Sequence, residues 1–244
     1  EEERLLGVSL TGIMDNPLTN GKNGFDVTKT LLEELRLVAV ETNKIWAEKI
    51  GINPSVACTA VKPSGTVSQL VDSSSGIHAR HNDYYIRTVR GDKKDPLAKM
   101  MVDMGFPVED DVMKPDNTWV FSFPMKAPEN SVFRTDMTAI EQLELWKTYQ
   151  IGWCEHKPSV TISVKEHEWM EVGAWVYGNF EWMSGVSFLP HSDAHYRQMP
   201  YQDCTKDEYE AFLEKMPKNV DWSELSKYEK TDMTESAQTL ACTA

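Results

Sequence analysis

Short apolar runs rich in β-branched residues recur along this chain, and stretches of helical periodicity separate them. RLLGVSLTGIMD, SVACTAVK, YYIRTVR (84–90), TWVFSFP, PSVTISV and SGVSFLP read as strands. Between the first two, Leu31, Leu32, Leu35, Val38, Ala39, Thr42, Ile45 and Trp46 recur at helical spacing and predict an amphipathic helix over about 28–49. Asp95, Pro96 and Gly105 punctuate a second helix as cap, first residue and stop. Thr138 with Glu141, and Thr205 with Glu208, are capping boxes that open two more. Trp169, Val172, Val176 and Phe180 fall on one face of another, as core or wall. Strands alternating with helices predict an α/β fold built on a largely parallel sheet or barrel. After Pro217 the chain turns polar with few apolar anchors, so residues 1–217 are expected to form the folded part and 218–244 a mobile tail.

The net charge of −13 over 244 residues argues against a broad nucleic-acid surface, which needs basic stripes. Between Lys62 and Lys94, however, six Lys or Arg stand against three Asp, giving a local +3. A small basic island in an acidic chain suits a compact anion; an ordinary solvated loop is the alternative. No run reaches the roughly 18 apolar residues of a membrane span, and the opening EEERLLGVSL lacks the basic and apolar regions of a signal peptide. No membrane partner is expected. Cys58, Cys154, Cys204 and Cys242 are widely spaced, with no CxxC pair, as in a reducing, cytoplasmic setting. Cys58 and Cys154 sit among apolar or aromatic neighbours and read as inert core thiols.

The segment VKPSGTVSQLVDSSSGIHARH (61–81) leaves a strand and becomes a loop of small hydrogen-bonding residues. In KPSGTVSQ a glycine between hydroxyl residues lets backbone come close to a ligand, and successive N–H groups can face an anion. Neither GxxxxGK[ST] nor GxGxxG is present, so this is neither a Walker A loop nor a dinucleotide fingerprint. Its place at the carboxyl end of a strand favours a phosphate over an ordinary surface turn.

GVSLTGIMD, VKPSGTVSQLVDSSSGIHARHNDYYIRTVR, WCEHKPSVTISVKEHEW and SGVSFLP together resemble the carboxyl-terminal half of a ribonucleotide reductase catalytic chain. They resemble most the adenosylcobalamin-dependent (class II) ribonucleoside-triphosphate reductases, over nearly the whole chain. The resemblance implies part of a ten-stranded α/β barrel with a flexible tail. It implies that Ser64, Gly65, Thr66, Val67 and Ser68 hold the substrate's phosphates, with the backbone N–H groups of Gly65 and Val67 as donors. It implies a ribonucleoside triphosphate (or diphosphate) substrate, thiyl-radical chemistry, adenosylcobalamin as cofactor, nucleotide allosteric effectors and a thioredoxin-like reductant.

The family's radical cysteine lies in Asn-x-Cys-x-Glu, which does not occur in these residues. The resemblance therefore implies a fragment with no catalytic residue of its own, its radical and first redox cysteines and most cobalamin contacts lying upstream. Cys242, in a polar tail, matches one of the family's tail cysteines, which re-reduce the active site. The class I large subunits have adjacent tyrosines on a late strand; the Tyr84–Tyr85 pair here is early, which favours cobalamin. A class I fragment and a self-contained nucleotide-binding module stand as alternatives. His78 with His81 (HxxH) and His191 with His195 (HxxxH, around Asp193) have no third ligand at useful spacing, and no metal is expected.

Overall fold

The computed structural model describes residues 4–65, 67–191 and 196–229. In chain order its elements are β1 (Val8–Ser9), α1 (Phe25–Ile50), β2 (Thr59–Ala60), α2 (Val67–Leu70), β3 (Tyr84–Asp92), α3 (Pro96–Asp103), β4 (Val108–Asp110), β5 (Thr118–Lys126), α4 (Ala139–Gly152), β6 (Ser159–Val164), α5 (Trp169–Gly178), β7 (Gly185–Pro190), β8 (Tyr201–Asp203), α6 (Lys206–Leu213) and α7 (Leu225–Tyr228). The fold is mixed α/β, and the chain divides into two compact units. Glu1–Arg80 with Pro128–Ser192 makes one, and His81–Ala127 with Asp193–Ala244 the other.

The first unit holds two parallel pairs, β1 with β2 and β6 with β7, the latter matched from Ser159↔Gly185 to Val164↔Pro190. Its core gathers Leu32 of α1, Leu143, Trp146 and Tyr149 of α4, and Val160, Ile162 and Val164 of β6. α1 and α4 come close because position 152 is glycine: a Cβ there would lie 3.2 Å from Leu32 Cβ. The polar edges of the core aromatics are satisfied. Trp146 Nε1 donates to the Pro158 carbonyl at 3.2 Å, and the Tyr149 hydroxyl to that of Thr19 at 2.9 Å. The capping box at Thr138 and Glu141 forms as its sequence predicts, and buried Glu168 adds a bond from the Ala139 amide at 3.1 Å. Burial alone would raise the Glu168 pKa; the Lys165 and Ala139 amides outweigh it and hold the carboxyl below its ordinary value.

The second unit is a four-stranded sheet in the order β4-β5-β3-β8. All its ladders are antiparallel, with β3 and β5 paired from Tyr84↔Lys126 to Asp92↔Thr118. This corrects the expectation of a largely parallel sheet. Alternation along YYIRTVR shows a strand but not its partner's direction, and the short link from β4 to β5 has no room for the crossover that parallel strands need. Phe106, Phe121 and Ala98 form this unit's core, with Trp119, Phe123 and Met216 against it. The tail is expected from 218, yet α7 lies beyond that point, Trp222 packs 6.2 Å from Phe106, and the Tyr228 hydroxyl donates to Asp103 Oδ2 at 2.9 Å. Residues 230–244, with Cys242, lie outside the described residues. α5 ends at Gly178, so Phe180 is not on its buried face and is 73% exposed; Trp169 is also partly exposed. Among the described residues no helix is long and apolar enough to cross a membrane.

Candidate functional site

Because β1 and β2 are parallel, the segments that follow them leave from the same end of the pair, where ligands of open α/β sheets bind. The two segments are tied together. The Gly12 amide donates to the Ser74 carbonyl at 2.9 Å, and the Met14 amide to Ser74 Oγ at 3.1 Å. Asp15 is the centre of the arrangement. It accepts from Arg80 through Nε at 2.9 Å and Nη2 at 3.0 Å, from the Ser74 amide at 2.7 Å and from Ser131 Oγ at 3.2 Å. Arg80, buried, also reaches Asp72 Oδ1 at 3.1 Å and its carbonyl at 2.7 Å. A buried guanidinium is tolerated only when paired and hydrogen-bonded, and these contacts meet that condition.

The loop itself folds back on its base. The Ser64 amide donates to Ser75 Oγ at 2.7 Å, and the Ser73 amide to the Ser68 carbonyl at 2.8 Å. Gly76, at φ 54°, lets the returning arm lie on the outgoing one; a Cβ there would sit 3.4 Å from the Lys62 carbonyl oxygen. Ser64 Oγ accepts from the Ser68 amide at 3.1 Å, while Ser68 is fully buried and its hydroxyl donates to the Ser64 carbonyl. Ser68 thus shapes the turn rather than offering its side chain outward. Gly65 is exposed, Val67 is 62% exposed and Ser64 half-buried. Thr66 lies outside the described residues.

Three of the six cations of the basic island meet carboxylates outside it, and Lys62 and Lys94 are exposed. Arg80 pairs with Asp15, Arg90 with Asp111 at 2.7 Å and Lys93 with Asp110, while Arg87 donates to the Tyr201 hydroxyl at 2.6 Å. Asp15 is the site residue that sequence reasoning missed; its signal was an acid closing an apolar run, ahead of an arginine following another.

The WCEH segment braces the same strands. Glu155 Oε2 accepts from the Cys58 amide at 2.8 Å, and His156 Nε2 lies 2.6 Å from the Leu6 carbonyl. Cys58 and Cys154 are buried free thiols; burial pushes the Cys154 thiol up to about 12, with a smaller rise at Cys58 from burial and Glu155. The HxxH histidines do not converge on a common ligand. His78 is held by Ser75 and Thr161, and His81 Nε2 faces Asp203 Oδ1 at 3.0 Å. His195 and Asp193 lie outside the described residues, and no group of three metal-ligating side chains forms among those described.

Known proteins resemble this chain in both sequence and fold. An adenosylcobalamin-dependent ribonucleoside-triphosphate reductase of Euglena gracilis is 32% identical over 239 residues, covering 97% of this chain and 32% of that protein. A probable one from Dictyostelium discoideum is 30% identical over 91% of this chain and 29% of its own length. A crystal structure of a B12-dependent (class II) ribonucleotide reductase superposes with a TM-score of 0.73 at 25% identity, over 86% of this chain and 29% of that one. This chain is similar to the class II ribonucleotide reductases over part of their length. It spans about a third of the length of the curated relatives it matches, a smaller share than the half that its motifs suggest. No family profile matches it.

Proposed function

We propose that this chain is a segment of an adenosylcobalamin-dependent ribonucleoside-triphosphate reductase, and that its 63–68 loop seats the phosphates of a ribonucleotide. The observation that carries the reading is a loop whose base is held in place by hydrogen bonds. Arg80, Asp15, Ser74 and Ser75 fix its base, while Gly65 and Val67 are exposed in a family whose named members act on ribonucleoside triphosphates. Backbone donors held in place before the ligand arrives lose little freedom on binding, which is what orientation of a substrate requires. Ser64, Gly65, Thr66 and Val67 contact the phosphates in this reading, and Ser68 supports them.

The same reading makes β1, β2, β6 and β7 staves of a barrel that other parts of a longer protein complete. Two-stranded parallel sheets are not stable with open edges, and β1 and the outer residues of β7, with Leu189 56% exposed, are poorly covered among the described residues. Adenosylcobalamin would supply the radical that starts the chemistry. The ring nitrogens of His78 and the Nε2 of His156 are engaged with backbone groups, so neither fits a cobalt ligand, and we assign the cofactor to no residue here. Cys242 would pass electrons from a thioredoxin-like reductant, and nucleotide effectors would act through regions beyond this chain.

Placing Ser64→Ala with Thr66→Val in the longer polypeptide tests the loop. The expected result is a rise of about tenfold or more in KM for the ribonucleotide in adenosylcobalamin-dependent turnover, the scale of one or two lost hydrogen bonds to a charged group. An unchanged KM would remove the phosphate role.

A further inference from the structure

A line of hydrogen bonds runs from Ser64 to the second parallel pair through a single imidazole. The Ser64 amide donates to Ser75 Oγ at 2.7 Å. The Ser75 carbonyl accepts from the His78 amide at 3.0 Å and lies 3.1 Å from His78 Nδ1. Across the ring, Nε2 stands 3.1 Å from the amide nitrogen of Thr161, within β6. A backbone amide can only donate, so Nε2 must be the acceptor. Neutral imidazole has one donor and one acceptor nitrogen, so the proton sits on Nδ1 and points at the Ser75 carbonyl. The surroundings admit one tautomer of the uncharged ring. A proton added at Nε2 would set N–H against N–H and break the tie to β6.

We infer that His78 is a positioning residue: while its ring is neutral it holds the candidate phosphate loop in register with β6, and when it takes up a proton the loop loosens and phosphate binding falls. The inference rests on the phosphate reading above. Among the described residues, the ring's hydrogen-bond partners on both sides are backbone groups, the Ser75 carbonyl and the Thr161 amide. β6 contributes Ser159, Val160, Thr161, Ile162, Ser163 and Val164, none of them ionisable; of the charged or titratable groups in His78's own 61–81 segment, Asp72 and Arg80 are paired with each other, Arg80 also with Asp15, His81 faces Asp203, and Lys62 is exposed. Burial of the ring lowers its pKa, outweighing the bond to Ser75, which acts the other way. With the folded value below the ordinary one of about 6.5, the tie is complete above that pH and is lost as pH falls through the lowered value. The ring is therefore neutral in a neutral medium, and its protonation is displaced to the acid side of the ordinary histidine range.

Two variants separate positioning from mere packing. In His78→Gln the side-chain oxygen can take the place of Nε2 as acceptor without titrating; His78→Ala removes the acceptor. Tripolyphosphate affinity is read from the Gly65 and Val67 amide resonances between roughly pH 8 and pH 5. Protection factors of the Ser64 and Thr161 amides report the tie whether or not a ligand is bound. Protonation of the ligand is common to all three proteins, so the wild-type to His78→Gln affinity ratio isolates the ring. We expect that ratio to be near one at the alkaline end and to fall several-fold as the ring takes up its proton toward the acidic end. Wild-type protection at both amides should fall in parallel, and His78→Ala should bind weakly with low protection throughout. A ratio independent of pH, or wild-type protection at both amides in His78→Ala, would overturn the inference. Absence of tripolyphosphate binding at every pH would overturn the phosphate reading and the binding half of this one; the protection factors would then decide the tie alone.

Discussion

The two units use the same run of basic residues in opposite ways. In the first, Arg80 is buried and locks a loop to the turn after β1 through Asp15. In the second, Arg87, Arg90 and Lys93 follow one another along and just beyond β3 and meet Tyr201, Asp111 and Asp110, contacts that fasten strands and their connections. The sheets differ likewise. The antiparallel one is fully paired along β3 and β5, whereas among the described residues the parallel pairs stop at two strands each. A self-sufficient sheet can stand as a scaffold. Short parallel pairs with open edges need more chain, and their loops gather at one end, where a site can form.

Asp15→Asn should produce the largest effect on this contrast. It strips the buried Arg80 guanidinium of its buried charged partner, at a cost of about 3–5 kcal/mol. Denaturant unfolding followed by amide exchange should show the first unit destabilised and β3–β5 protection unchanged. Equal losses in both units would break the distinction drawn here. Arg90→Met should cost less, about 1–2 kcal/mol, because the arginine is partly exposed and Asp111 keeps the amides of Met113 and Lys114. Loss of protection confined to the second unit would sharpen the comparison; a loss at the 61–76 loop would contradict it.

Local signals in the sequence were dependable where the physics is local. The capping boxes at Thr138 and Thr205, and the Asp95 cap with Gly105 at φ 82°, form as written, because each depends on residues within a turn or two. The long helix runs 25–50 against an expected 28–49. Strand extent was less legible. RLLGVSLTGIMD yields only Val8–Ser9 as strand, since a ladder requires a partner that runs alongside, and β2 offers two residues. The loop was found from its glycine and hydroxyls, but not its support: Arg80 and Asp15 are 65 residues apart, and no spacing rule joins them. Ser68 was counted as a donor because composition cannot tell which hydroxyls a turn consumes internally.

Titrating the longer polypeptide that contains this segment with a ribonucleoside triphosphate, while following the backbone amides of the segment, tests the central claim most directly. The account predicts saturable shifts centred on Ser64, Gly65 and Val67, with the β3–β5 amides unmoved. Shifts gathered on Arg87 and Arg90 instead, or none at the loop at any concentration, would contradict it.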